Sequence, residues 1–313
     1  MGVLAPYRVV HGWPILPEGY VLGQVCGVGV DSHEHVFVFH RADHGGEKPN
    51  APIDAPVVMC FDGVTGKLLD SWGANMFRVP HGLRVDDRDN VWITDLDLHQ
   101  VFKFSHDGTL RMTLGVAGTP GWDHLHFNKP TDVAVGRDGF YVSDGYGNRR
   151  IAKFSHEGKF LFEWGKAGDQ PGEFQEVHNL VLDREGRVYV TDRINRRIQI
   201  FTGDGQFISE WKSEALGCPW ALAYGADDFL YMVDGGDMSP SLPARARITR
   251  LDRDGNILEQ WSSFGNYDGQ LFWGHDIAVG KSGSVYVGEV NHGMRAQKFS
   301  RSEQEYLFLS RQE

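Results

Sequence analysis

One residue pattern recurs along this chain, and that repeat limits the folds open to it more than any other feature. PHGLRVDDRDNVWITDLDLHQVFKF from Pro80, PTDVAVGRDGFYVSDGYGNRRIAKF from Pro130, VHNLVLDREGRVYVTDRINRRIQIF from Val177 and GHDIAVGKSGSVYVGEVNHGMRAQKF from Gly274 share one order of segments. Looser copies, VCGVGVDSHEHVFVFHRAD from Val25 and PWALAYGADDFLYMVDGGD from Pro219, bring the count to six. Within each copy an apolar stretch leads into a D-x-x-G-like turn, then an alternating V-x-V stretch ending in an acid, a loop, and a K-F or Q-I-F stretch. A last segment such as TLRMTLG, KFLFEWG or QFISEW follows a D-G or E-G turn. These are short strands with hairpin turn chemistry, and no segment carries a helical period. Four strands repeated six times, 42 to 55 residues apart, predict an all-β fold, a six-bladed β-propeller. A solenoid would need atypical capping repeats, and the last copy is as regular as the middle ones. The whole chain, 1–313, reads as one propeller domain with blades starting near residues 25, 80, 130, 177, 219 and 274. Two end segments compete to close the ring, YRVV near the amino terminus and EYLFL near the carboxyl terminus.

Composition narrows the function classes. A net charge of −11 excludes a protein built to neutralise phosphates, so nucleic acid is not an expected partner. The 39 glycines and 13 prolines spread through an otherwise ordinary globular composition serve turns rather than disorder. Cys26, Cys60 and Cys218 are odd in number, far apart and outside any C-x-x-C spacing, which makes them free thiols. No apolar run reaches the roughly 20 residues that span a bilayer. The start, MGVLAPYRVVHGWP, has neither a basic leader nor a sustained apolar segment. A cytoplasmic protein with no membrane partner is expected.

Aligning the copies places Cys26, His81, Thr131, His178, Trp220 and His275 at one position, the start of each blade's first strand. Histidine occupies every second blade, and successive histidines are 97 positions apart. Alternate blades of a six-bladed ring are related by about 120°, and first strands line the central channel, so the three imidazoles converge on the axis. That is the ligand set of a catalytic zinc with its fourth position free. No carboxylate completes a two-histidine iron site, although His-rich sites accept several first-row metals. Taken singly, each histidine would pass for an ordinary strand-end residue. At the same rim, where each second strand ends, arginine follows in the first and fourth blades, as Arg41 and Arg193, and Tyr146 lies in the third. Two guanidiniums and a phenol beside a metal suit a substrate bearing a carboxylate. The competing reading pairs each arginine with its preceding acid. Asp95, Asp144, Asp192 and Asp234 recur and so read as structural. The NRR runs at 148–150 and 195–197 read as loop and surface elements. His33, His35, His44, His99 and His292 fall near turns or rims, in solvated or supporting roles. GQVCGVG has no following helix to make a dinucleotide site, and no G-x-S-x-G elbow is present.

The repeats resemble NHL repeats. The ordered set FHRADH, VPHGL, KPTDVAV, VSDGYGNRRI, EVHNL, TDRINRRI and GHDI, from about Val25 to Phe299, is similar to the peptidyl-α-hydroxyglycine α-amidating lyase family. The resemblance implies a six-bladed propeller that uses zinc to cleave an N-acyl-α-hydroxyglycine into an amide and glyoxylate. It implies zinc ligands at His81, His178 and His275, a catalytic Tyr146, and functional Arg41 and Arg193. It further implies a structural calcium held by the carbonyls of Val28 and Leu83 and the carboxylate of Asp276. Where the animal enzymes carry disulfides this chain has Asn128, Gly147, Val188 and Ile200, which suits a reducing compartment. Trp273 takes the place of a methionine of the family's site and is expected at the substrate, and the fifth-blade loop DGGDMSPSLPARAR differs from the family's. With no monooxygenase domain in this sequence, substrates other than peptides are open. The expected activity is a carbon–nitrogen lyase in which Tyr146 is the base and Arg41 or Arg193 holds the carboxylate. A zinc hydrolase of an ester, lactone or amide, and a non-catalytic NHL scaffold, are the alternatives.

Overall fold

A computed structural model of the chain describes residues 5–42, 51–236 and 245–301. All regular structure in these residues is β. It is arranged as six four-stranded antiparallel sheets, and the all-β six-bladed propeller is the fold observed. Blade 1 comprises Val25–Val30, His35–His40, Val58–Asp62 and Leu68–Trp72, and blade 2 Pro80–Val85, Val91–Asp95, Gln100–Phe104 and Leu110–Leu114. Blades 3, 4 and 5 begin with Asp132–Gly136, Val177–Leu182 and Pro219–Tyr224. Blade 6 begins with Gly274–Val279 and Val285–Glu289 and continues to Arg295–Ser300. Its fourth strand comes from the other end of the chain: Arg8–Val9 pairs antiparallel with Phe299 and Ser300. The amino-terminal segment YRVV therefore completes the last blade. EYLFL lies outside the described residues.

The first strands of neighbouring blades touch all the way round, including the last against the first, so the ring closes on itself. Burial follows from this arrangement. First, second and third strands are mostly buried, such as Val188–Asp192 and Arg197–Phe201, whereas outer strands such as Phe207–Trp211 face water on alternate residues. Val, Ile, Phe and Tyr dominate the buried strands because β-branched and aromatic side chains fill a pleated surface packed on both faces.

The recurrent acids knit the loops. Asp144 accepts from the backbone N–H of Asn128 (2.7 Å), from Asn148 Nδ2 (2.7 Å) and from Arg150 Nε (2.9 Å). Asp192 repeats the arrangement with Gln175, Asn195 and Arg197. One expectation changes here. The last arginine of each NRR run is not a surface element: Arg150 and Arg197 are 1% and 3% exposed and carry a second carboxylate, Glu163 and Glu210 respectively. A charge buried that deeply is tolerable only when paired and fully hydrogen-bonded, and each guanidinium also donates to loop carbonyls.

Candidate metal centre

The three histidines reach the axis through an irregularity in their strands. The ladder between first and second strands slips at Val25/Gly27, Pro80/Leu83, Val177/Asn179, Pro219/Ala221 and Gly274/Asp276. The skipped residues are Cys26, His81 with Gly82, His178, Trp220 and His275. A bulged residue leaves the ladder, and its side chain is re-aimed out of the regular in-and-out alternation. The three imidazoles meet with ring centroids 4.6–5.0 Å apart, and one ligating atom from each lies within 4.8 Å of the others. All three side chains are buried.

Their tautomer is set by the intervening blades. Nδ1 of His81, His178 and His275 lies 2.8 Å from the main-chain carbonyls of Thr131, Trp220 and Cys26. These are the equivalent positions of blades 3, 5 and 1, so each histidine is oriented by the next blade round the ring. A carbonyl only accepts, so Nδ1 carries the proton and Nε2 keeps its lone pair. His178 Nε2 is buried with no hydrogen-bond partner, and His81 Nε2 accepts from the Tyr146 hydroxyl at 3.0 Å. Burial, reinforced by Arg41, pushes His81 down to about 3. Burial likewise holds His178 and His275 well below the usual imidazole range. Three neutral imidazoles with converging lone pairs fit a tetrahedral zinc with one open position.

Tyr146 and the two arginines stand over this cluster. The Tyr146 ring lies 5.1 Å from His81 and 5.9 Å from His178. Burial raises its hydroxyl pKa, with Arg193 lowering it, Glu176 raising it and Arg41 lowering it in turn. Arg193 stacks 4.2 Å from the Trp220 ring and 5.7 Å from Tyr146. Its ion pair is with Glu176 and not with the preceding Asp192, which is taken by Arg197. Arg41 donates to the carbonyl of Pro80 and to Gln24 Oε1, both at 3.0 Å. Among the described residues no carboxylate pairs with it. Glu176 and Gln24 were not singled out from sequence, yet a signal existed: each directly precedes a first strand and bonds through its carbonyl to the backbone N–H of its arginine. Trp220 was also missed as a platform, although it occupies the histidine position of blade 5. Trp273 packs on Phe272 and His292 with its indole N–H buried and unpartnered, and neither of these rings belongs to the three histidines of the centre.

The calcium expectation does not fit. The carbonyls of Val28 and Leu83 and both oxygens of Asp276 already accept hydrogen bonds from the Arg84 guanidinium, at 3.4, 3.2, 3.1 and 2.8 Å. A side-chain cation fills the space that the ion would need. A second group of possible ligands, His35, Cys60 and His106, surrounds Asp31. That carboxylate receives the backbone N–H groups of its turn and both imidazoles, as Asp86 and Asp183 receive theirs in other blades. It reads as turn chemistry. His44 lies outside the described residues. A cavity of about 990 Å³ opens at the opposite end of the channel among turn residues such as Asp86, Asp138 and Asp183. The gap beside the histidines is only about 10 Å³, and it lies among the three imidazoles and the buried Asp132 and Asp276.

Comparison with known proteins agrees with this architecture. A family model described as "6-bladed beta-propeller" matches residues 122–267, and one described as "NHL repeat" matches residues 77–104. Peptidyl-glycine alpha-amidating monooxygenase B of Xenopus laevis is 36% identical over 91% of this chain, which spans 35% of that protein, about a third of its length. Peptidyl-alpha-hydroxyglycine alpha-amidating lyase 2 of Drosophila melanogaster is 32% identical, covering 91% of this chain and 73% of its own. Among solved structures, a gluconolactonase from Xanthomonas campestris superposes with a TM-score of 0.62 at 13% identity, covering 94% of this chain and 89% of that one. At that identity the likeness concerns the fold alone.

Proposed function

Because this chain belongs to the peptidyl-α-hydroxyglycine α-amidating lyase family, we propose that it is a zinc-dependent lyase cleaving the C–N bond of an N-acyl-α-hydroxyglycine-like carbinolamide into an amide and glyoxylate. The observation that carries the reading is the set of three neutral imidazoles, each fixed at Nδ1 by the next blade, with the Tyr146 hydroxyl 3.0 Å from Nε2 of one of them, whose lone pair the hydroxyl would yield to the metal. Zinc held by His81, His178 and His275 would supply Lewis acidity that makes the substrate hydroxyl easier to ionise. Tyr146, as phenolate, takes the hydroxyl proton. The carbon–oxygen bond then becomes a carbonyl, the C–N bond breaks with its electron pair going to nitrogen, and Tyr146 returns the proton to the leaving amide. No solvent oxygen enters the products.

The arginines divide the remaining work. Arg193, paired with Glu176, lies 5.7 Å from the Tyr146 ring. Burial raises the Tyr146 hydroxyl pKa and Arg193 lowers it, so Arg193 favours the phenolate form. Arg41 is bonded only to neutral acceptors among the described residues, which leaves its charge for the substrate carboxylate. Trp273 would wall the pocket beside the last histidine.

The deciding experiment combines elemental analysis of wild type and His178→Ala with an assay of glyoxylate release from an N-acyl-α-hydroxyglycine in isotopically labelled water. About one zinc per chain, lost in the variant, with unlabelled glyoxylate from the wild type, is the expected result. Labelled carboxylate product from an ester or lactone would make the site a hydrolase, and metal-free wild type would leave a scaffold.

A further inference from the structure

Below the histidines, one residue further along each first strand, the ring reads Gly27, Gly82, Asp132, Asn179, Ala221 and Asp276. Two carboxylates thus face a channel that carries no other acid at this level, and both are buried, with side chains 3% and 5% exposed. Arg84 extends into the gap between them. Nη2 lies 2.8 Å from Asp132 Oδ2 and 2.8 Å from Asp276 Oδ1. Nη1 lies among Asp276 Oδ2, the Leu83 carbonyl and the Val28 carbonyl at 3.1, 3.2 and 3.4 Å. The network continues outward. Asn179 Nδ2 donates to Asp132 at 2.6 Å, and Asn179 Oδ1 accepts from the backbone N–H of Leu222 at 2.8 Å. Val28 N–H donates to Asp276 at 2.9 Å across the junction of the first and last blades. Residues of all six blades are therefore joined through one guanidinium.

We propose that Arg84 is the structural cation of this propeller, a covalently attached substitute for a divalent ion, and that the channel binds no calcium. A calcium ion would need its oxygens at 2.3–2.6 Å, but here those oxygens already stand around nitrogen donors at hydrogen-bond distance. Volume and charge both exclude the ion while the guanidinium is in place. An attached cation cannot dissociate, so ring closure becomes independent of the calcium concentration. Removing it leaves two buried carboxylates without a counter-charge, which is severely destabilising unless an ion enters.

The test reads calcium binding and unfolding of the full chain with its histidines intact, and so stands apart from the catalytic reading. Equilibrium dialysis with radioactive calcium, and thermal unfolding with and without millimolar calcium, are compared for wild type, Arg84→Ser and Arg84→Lys. The wild type is expected to bind no calcium and to keep its Tm. Arg84→Ser is expected to unfold roughly 5–10 °C lower, to bind about one calcium per chain and to recover most of the loss. Arg84→Lys retains a charge, and a lower Tm with no calcium response is expected of it even if the serine variant fails to fold. Stoichiometric calcium with a raised Tm in the wild type would overturn the proposal, as would a serine variant whose Tm is unchanged.

Discussion

Each histidine of the centre is held at Nδ1 by a carbonyl of the next blade, and this makes its protonation a property of the ring. In the fold the imidazoles stay neutral far below their ordinary value, His81 down to about 3. In the unfolded chain each takes a proton near about 6.5. Below that pH the unfolded state binds more protons than the native one, so stability falls as pH falls. In metal-free protein each histidine contributes up to about 1.4 kcal/mol per pH unit to that loss. His178→Ala removes one of these protons, so the wild type should lose its stability relative to the variant at about that rate between pH 6 and pH 5, read from urea unfolding. The raised buried carboxylates act in the opposite direction but are common to both proteins. A difference that does not move with pH would mean that His178 is charged in the fold. For catalysis, Tyr146→Phe should lower kcat by about 10²–10⁴-fold with zinc content unchanged. Arg41→Met should mainly raise KM, because it removes the uncommitted charge and leaves the Tyr146–Arg193–Glu176 group in place. A fall in kcat alone would assign the carboxylate elsewhere.

At the scale of elements, two devices recur. A bulge in the first strand re-aims the residue at this position in blades 1, 2, 4, 5 and 6, while in blade 3 Thr131 sits just ahead of an unbroken ladder. The position contributes an imidazole in blades 2, 4 and 6, and a carbonyl that orients an imidazole in blades 1, 3 and 5. The second device is a tryptophan at the end of an outer strand, wedged against a glycine turn of the following blade, as with Trp164 and Gly205 or Trp211 and Gly255. Gly205 has φ of +78° and a Cβ there would meet the Trp164 ring at 2.8 Å, whereas Gly186, with φ of +81°, has open space around it. Gly205→Ala should therefore destabilise by roughly 2–3 kcal/mol and Gly186→Ala by roughly 1 kcal/mol, measured by denaturant unfolding. Equal losses would mean that the wedge does not matter. The turn acids were read correctly as structural, but the buried state of Arg150 and Arg197 was not legible. An arginine in a loop looks the same whether it faces water or a carboxylate beneath it.

For the molecule as a whole, stability rests on closing the ring. The amino-terminal strand pairs with Phe299 and Ser300, and Tyr7 stacks on Trp261 at 4.3 Å, bringing blade 5 and the closing strand together. Deleting residues 1–10 exposes a sheet edge and the buried face beneath it, and should lower Tm by roughly 10 °C or more in a thermal scan. A smaller change would shift closure to the carboxyl-terminal segment. The six-fold repeat, the strand pattern and the position of the three histidines were all available from the chain, because periodicity and relative spacing survive without coordinates. Which carbonyl orients each imidazole, that Arg193 answers to Glu176 rather than Asp192, and that Arg84 stands where a calcium was expected were decided only by the closed ring. The first and third are contacts between different blades, set by the angle between sheets and the reach of long side chains, and the second joins two loops at one end of blade 4; which partner a long side chain reaches is a quantity no local pattern in the sequence records.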